Sequence, residues 1–264
     1  MPFSRITRMD IGVSVGPYVD RIGELPESFS FVELAVGEGE RPLAAVDADR
    51  LADDLSAHGF GAVVHLPYRQ PLATPVGRID MATQEYLGEV LETAAAINAT
   101  TAVAHPRTRG VGDDTLIERM AQLSDRGAAN DITVCFETLG YAGGLSLDRV
   151  GAAAAEADAA ICLDVGYAYL EAGTDGIASF VASYGDLVEH LHVHGARHRG
   201  DTHISVGSGD VDYSSIGPLL HDVAPTTATI EVFTDNATYL TASAERFKAV
   251  YAEPAESTTD TEGT

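Results

Sequence analysis

Residues 132–166 read ITVCFETLGYAGGLSLDRVGAAAAEADAAICLDVG. The stretch opens on a β-branched apolar run, ITVCFET (132–138), and closes on another, AAICLDVG (159–166). Between them SLDRVGAAAAEAD (146–158) reads as a helix. Apolar runs of this length without polar alternation are what strands buried on both faces look like. Strand, helix and strand in that order make a parallel βαβ unit.

The unit recurs along the chain. Six more strand candidates are DIGVSV (10–15), FVELAV (31–36), GAVVHLP (61–67), TTAVAHP (100–106), EHLHVHG (189–195) and TATIEVF (227–233). Helical stretches alternate with them, about eight in all, among them ADRLADDLSAHG with its Gly stop and GRIDMATQEYLGEVLETAAAIN with helical apolar spacing. DDTLIERMAQLSDRG starts on acidic capping candidates and ends on Gly; GIASFVASYG, DYSSIGPLLHDV and TASAERFKAVYAE follow. Eight βα units in about 250 residues is the size of a (β/α)8 TIM barrel, a single-domain α/β fold. The competitor, a doubly wound open sheet carrying a dinucleotide, would show G-x-G-x-x-G after the first strand, and none is there. The barrel is expected over residues 1–252, and EPAESTTDTEGT (253–264) reads as a disordered acidic tail.

Composition narrows the function classes. No apolar run reaches the ~18 residues of a membrane span. The N-terminal MPFSRITRMDIGVSV lacks a secretory leader's apolar stretch, so a cytoplasmic location is expected. The two cysteines, Cys135 and Cys162, lie inside strand runs and read as buried thiols, not a disulfide framework. Sixteen Lys+Arg stand against forty Asp+Glu, a formal charge of −24, and Lys248 is the one lysine. That balance reads as halophilic, since molar salt shortens the Debye length to ~3 Å and screens self-repulsion. It also counts against a nucleic-acid partner, although salt adaptation weakens that argument.

Ionisable residues sit at or near the C-terminal ends of successive strand runs: Glu33, His65, His105, Glu137, Asp164, His192 and Glu231. In a (β/α)8 barrel those ends converge on one face, where active sites are built. Carboxylates gathered in one pocket repel each other, and a bound cation is the simplest neutraliser. Mixed His and carboxylate ligands suit Zn²⁺, Mn²⁺ or Co²⁺ better than Mg²⁺. Strand alternation puts Cys135 on the face of Glu137 and Cys162 on that of Asp164, one layer deeper. It also puts His190, His192 and His194 on one face, spanning about 13 Å, too far for one ion to take all three. The first of them reads as a layer residue. Asp201 and His203 follow in a loop, as a second ligand pair or as substrate contacts.

Together these motifs resemble the xylose isomerase-like TIM barrels, a superfamily of sugar and sugar-phosphate isomerases and epimerases that includes the endonuclease IV group (AP endonuclease family 2). The resemblance runs from the first strand to the eighth and is carried by ICLDVGYAYLEAG, EHLHVHGARHRGDTHISVGSGDVDY and TIEVF, with H-x-H, then D-x-H, then G-x-G-x-x-D. It implies that Glu137, Asp164, His192 and Glu231 hold a central divalent metal, Mn²⁺ or Zn²⁺ foremost and Co²⁺ or Mg²⁺ as alternatives. It implies that His65 and His105 match ligands of another metal in the endonuclease branch, and Asp201 and His203 a third-metal pair. Tyr167 stands where that branch has a third-metal histidine, and a neutral phenol is a poor ligand beside imidazole.

The expected activity is a metal-dependent isomerase or epimerase acting on a small carbohydrate through an enediolate-like state. Glu137 and Glu231 would be the acid/base pair, and Tyr167, His194 and Arg197 substrate contacts, with a homodimer as the expected assembly. The alternative is zinc-dependent hydrolysis of a phosphodiester at abasic DNA.

Overall fold

A computed structural model describes residues 9–252, so the tail expected at 253–264 lies outside the described residues. Eight parallel strands close into a barrel in sequence order. The strands are β1 (Asp10–Gly16), β2 (Phe31–Ala35), β3 (Gly61–His65), β4 (Thr101–Ala104), β5 (Thr133–Glu137), β6 (Ala160–Asp164), β7 (Val188–Val193) and β8 (Thr227–Ile230). Each falls on one of the eight apolar runs, and β1 pairs with both β2 and β8 to close the ring.

The helices among the described residues are α1 (Ala48–His58), α2 (Gly77–Ala96), α3 (Asp113–Ala128), α4 (Leu147–Ala157), α5 (Val165–Tyr184), α6 (Tyr213–Val223) and α7 (Ala237–Ala252). They are seven, not about eight, because β1 connects to β2 through a 3-10 turn at Val19–Glu24. Local signals end several of them as expected. Asp47 accepts the Arg50 N–H at the start of α1, and Gly59 closes that helix with φ 73°. Asp212 accepts the N–H groups of Ser214 and Ser215 at the start of α6. α3 differs: its cap position is Gly112, with Asp113 and Asp114 inside the first turn, where their charge suits the helix dipole. α5 differs more, starting directly after Asp164 and bending at Gly173 (φ 66°, ψ −171°), so only its second half was visible as GIASFVASYG.

Most of the apolar core lies between barrel and helices. Inside the barrel a small cluster of Phe31, Val63, Val103, Cys135 and Cys162 fills the floor. Phe31 fits there because β1 offers Gly12: a Cβ at that position would stand 2.3 Å from the Phe31 ring. Packing the floor leaves the C-terminal mouth as the place for a cleft.

Candidate functional site

The mouth of the barrel opens into a cleft of about 630 Å³ lined by residues from loops around the ring. Glu137 is the last residue of β5 and Asp164 the last of β6, while Glu231 follows β8 by one residue. His192 lies opposite Asp164 in the β6–β7 register, and Thr229 is its neighbour on β8. Glu137, Asp164 and His192 are buried to 3%, 0% and 0% exposure, so their charges need internal partners.

Four groups of side chains could each hold a metal ion; one, Cys162, His190 and His192, is wholly buried, and the other three share members with one another. His65, His105 and Glu137 form one; Glu137, Asp164, His192 and Glu231 the next; Asp164, His194, His203 and Glu231 the last. Within each, one ligand atom per residue lies within 4.8 Å of the others. In the central group His192 Nδ1 stands 3.0 Å from Glu137 Oε1 and 3.2 Å from Glu231 Oε2. On one flank His105 Nε2 is 2.6 Å and His65 Nε2 3.6 Å from Glu137 Oε2. On the other His203 Nε2 is 3.3 Å from Glu231 Oε2.

The donor set fits a divalent cation. Glu137 Oε2 and Glu231 Oε2 are buried without a hydrogen-bond partner, although ring nitrogens surround them. Close nitrogen and oxygen atoms that are not aligned for hydrogen bonding are what ligands converging on a common ion leave behind. A buried carboxylate oxygen otherwise keeps a partner.

Behind the central group a hydrogen-bonded layer orients His192. Its Nε2 lies 3.1 Å from Glu33 Oε2, which also accepts from Thr229 Oγ1 at 2.7 Å. His190, deeper still, bonds Thr227 and Thr229 through its two ring nitrogens. His190 is thus the layer residue expected, and Glu33 sits mid-strand in β2, not at its end. A carboxylate on the far nitrogen of a ligating histidine fixes its tautomer and orientation.

The titration of these groups follows from burial set against charge. Burial pushes the Glu137 carboxyl up, but the His105 and His192 charges outweigh it and hold it well below the usual range. Glu231 is held low in the same way, by His192 and His203. Burial depresses His192, yet the carboxylates around it, Glu33, Glu231 and Glu137, raise it well above an ordinary imidazole. His105 goes the other way: burial, its largest influence, keeps it low despite Glu137. A cation entering the site replaces protons on these ligands.

Residues expected in the loops divide. His203 joins the third group, with its backbone in the left-handed region (φ 54°), which costs a non-glycine residue energy. That turn is held by the Phe233 N–H donating to the His203 carbonyl, while the Phe233 ring stacks on His203 at 4.1 Å. Asp201 does not join His203. It is half exposed and pairs with Arg197 at 2.9 Å and Arg199 at 3.6 Å. Arg197 correspondingly stays outside the cleft, since its guanidinium is spent on Asp201.

His194 is buried, with Nε2 at 3.1 Å from Asp164 Oδ2, and takes the place beside His203 expected of Asp201. Burial would lower it, but Asp164 raises it to about 9. The approach is possible because residue 166 is glycine: a Cβ there would lie 2.3 Å from the His194 ring. Tyr167, in the first turn of α5, lines the cleft with its ring edge-on to His194 and His203, and its N–H donates to Asp164 Oδ1 at 2.7 Å. Burial pushes its phenol up, so it is neutral.

Among the cleft residues that the sequence does not single out are Tyr68, Arg107 and Phe233. Tyr68 packs its ring 4.9 Å from His105. All three lie one to three residues past a strand end, and that position was the one signal that could have found them.

The fold and the ring of His and carboxylate side chains define a (β/α)8 barrel with a candidate metal centre at its C-terminal mouth. Residues 24–253 match the xylose isomerase-like TIM barrel family, and the chain belongs to it. No curated protein matches the sequence. Among solved structures, a D-tagatose 3-epimerase-like protein is similar at 20% identity and TM-score 0.76, over 92% of this chain and 97% of that one. A D-allulose 3-epimerase from Methylomonas sp. has 16% identity and TM-score 0.76, over 93% and 98%. A 3-keto-D-glucoside 4-epimerase from E. coli has 14% identity and TM-score 0.70, over 92% and 100%. Among the described residues no helix is long and apolar enough to cross a membrane.

Proposed function

We propose that this protein is a divalent-metal-dependent epimerase or isomerase of a small carbohydrate. The observation that carries the reading is the pair Glu137, ending β5, and Glu231, just after β8, both within about 3 Å of His192 Nδ1 and each with a buried oxygen that has no hydrogen-bond partner. Glu137, Asp164, His192 and Glu231 would hold the metal, with Mn²⁺, Zn²⁺, Co²⁺ and Mg²⁺ as the candidates. When bound, the ion supplies Lewis-acid polarisation of a substrate carbonyl and charge stabilisation of an enediolate-like state.

The rest is the work of the chain. The histidines around Glu137 and Glu231 hold both as carboxylates, so either could accept the proton on the carbon next to the carbonyl. With the substrate carbon between them, one glutamate would take its proton and the other, having picked up a proton from solvent, would return one to the opposite face, which inverts that carbon. Tyr167, neutral and lining the cleft, would donate to a substrate hydroxyl. The structural likeness to three sugar epimerases supports the reading. The test is incubation of the Mn²⁺-loaded protein with ketohexoses in D₂O. Deuterium entering the epimerised carbon, lost on chelation and restored by metal, is expected; no exchange with any sugar would sink the reading.

One observation favours a second reading, zinc-dependent phosphodiester hydrolysis. The flanking groups, His65–His105–Glu137 and Asp164–His194–His203–Glu231, place ligand sets on both sides of the central one. Nucleases use metal ions about 3.5–4 Å apart in this way. The strong negative charge opposes a nucleic-acid partner. Three metals per chain with nicking at abasic sites would favour hydrolysis; one metal per chain favours epimerisation. The acidic, arginine-biased composition supports a halophilic protein, and greater thermal stability in molar KCl than in dilute buffer is expected. A homodimer is the expected assembly, readable by light scattering.

A further inference from the structure

Two cations line the cleft, and they differ in their engagements. Arg21 donates to the Thr234 carbonyl at 3.1 Å and pairs with Asp235 at 3.3 Å. Arg107 is partly buried, its Nε is shielded from solvent with no hydrogen-bond partner, and its guanidinium makes no ion pair or hydrogen bond to any described residue. That is unusual for this chain, in which forty acids surround sixteen cations. Among the described residues the other arginines without a carboxylate partner are exposed (Arg78, Arg109, Arg126 and Arg246) or, as Arg41, bonded to the Pro17 carbonyl. Among the described residues, Arg107 alone is half withdrawn from water, unpaired and turned to a cleft.

Its position is held by the backbone. The Arg107 carbonyl accepts from Leu72 N–H at 2.8 Å, and its N–H donates to the His105 carbonyl at 2.8 Å. It stands two residues past His105, so its α-carbon is at most about 7 Å from that of a residue touching Glu137. A guanidinium with free donors in a fork is suited to a phosphate or carboxylate. An anion approaching a protein of charge −24 is repelled at long range and needs a local cation to be held.

We propose that the substrate carries an anionic group, a phosphate or a carboxylate, and that Arg107 binds it beside the His105–Glu137 edge of the cleft. This rests on the reading of the cleft as a sugar epimerase or isomerase site, and it names the substrate class of that site as a sugar phosphate or sugar acid.

The test uses matched substrates on the metal-loaded protein: a ketohexose with its terminal phosphate, and a neutral sugar with the corresponding uronic acid. The wild type is expected to prefer the charged member of one pair by about 10²-fold in kcat/KM, the range for a partly buried charge pair. Which pair shows the preference separates phosphate from carboxylate. Arg107→Met should abolish that preference, by a loss on the charged member that falls mainly on KM; Arg107→Lys should restore part of it. No preference for charge in either pair, or an equal loss on both members in Arg107→Met, overturns the proposal while leaving epimerisation standing. If the wild type turns over no sugar, the epimerase reading fails, and binding of inorganic phosphate and of acetate, measured by calorimetry, decides the Arg107 site separately. Binding lost in Arg107→Met upholds an anion site there; binding unchanged in that variant overturns it.

Discussion

The interior of the barrel has two storeys built on the same strands. The lower holds Phe31, Val63, Val103, Cys135 and Cys162. Two residues further along each strand or its end come Glu33, His65, His105, Glu137 and Asp164. Because strand side chains repeat with period two, every apolar floor residue has an ionisable residue directly above it. The lower storey satisfies itself by packing, with Val103, Cys135 and Cys162 at 0% exposure. The upper storey is equally buried at Asp164 and His192 but is held by charge, and it leaves oxygens of Glu33, Glu137 and Glu231 without partners. One step of pleat separates a core from a site, and perturbations of the two should differ in kind.

The largest effect is expected from Glu137→Gln and Glu231→Gln. Each amide keeps the shape and removes the base, and general acid–base groups contribute about 10²–10⁴-fold. A fall in kcat of about 10³-fold for each is expected. Exchange of substrate hydrogen with solvent deuterium reads it directly. If both variants kept near-normal turnover with metal bound, the upper storey would hold the ion without performing the chemistry.

Glu33→Gln tests the boundary between storeys. Glu33 touches no substrate position in this reading but holds His192 Nε2 at 3.1 Å. Removing such an outer partner lowers metal affinity by about 10–100-fold. Competition with a chelating dye measures it, and Glu33→Gln should leave the unfolding transition cooperative. An unchanged affinity would assign Glu33 to the floor, as packing.

The barrel was legible because its signal is repeated. Eight apolar runs each bounded by Gly, Pro, Asn or charge leave little room for another fold, and all eight became strands. Glu137, Asp164, His192 and Glu231 stood out with Glu33, His65 and His105 for a related reason: an acid or imidazole at the end of a buried strand is costly to desolvate and needs a partner; that these four form a central group came from the family resemblance and not from that rule. Loops carry no such rule. Asp201 and His203 are two apart in sequence, but His203 takes a left-handed backbone and turns inward, while Asp201 meets Arg197 and Arg199 outside. Arg197 reads as a substrate contact in the sequence because nothing there reveals that ion pair. Arg107 is one of fifteen arginines, and nothing in the sequence says that this one lacks a partner. The helical stretch holding Tyr167 was hidden because VGYAYLEAG has no cap signal of its own; Asp164, a candidate ligand, serves as the cap.

Gly166→Ala probes how closely the upper storey is packed. The added methyl would meet the His194 ring at 2.3 Å, and the histidine must shift from Asp164 or the helix start must move. Overpacking of this kind costs about 1–3 kcal/mol. For a domain of this size a melting temperature lower by about 2–4 °C per kcal/mol is expected. Metal content by mass spectrometry gives the sharper comparison. If the third ligand group takes an ion, Gly166→Ala should lower the metal count while His192 continues to hold the central one.

The smallest effect is expected on the floor. Burial pushes both thiols up, so they stay protonated in the folded protein and should not react with a thiol reagent until it unfolds. Cys135→Ala removes one buried atom and leaves a small void, a cost of about 1 kcal/mol by analogy with other large-to-small core changes. Metal affinity and turnover should be unchanged, since Cys135 belongs to none of the candidate ligand groups. The variant also tests the division itself, because Cys135 lies directly below Glu137 on β5. A loss of metal affinity comparable to that of Glu33→Gln would mean that the void lets Glu137 sink, and the floor would then be part of the site's alignment and not merely its support.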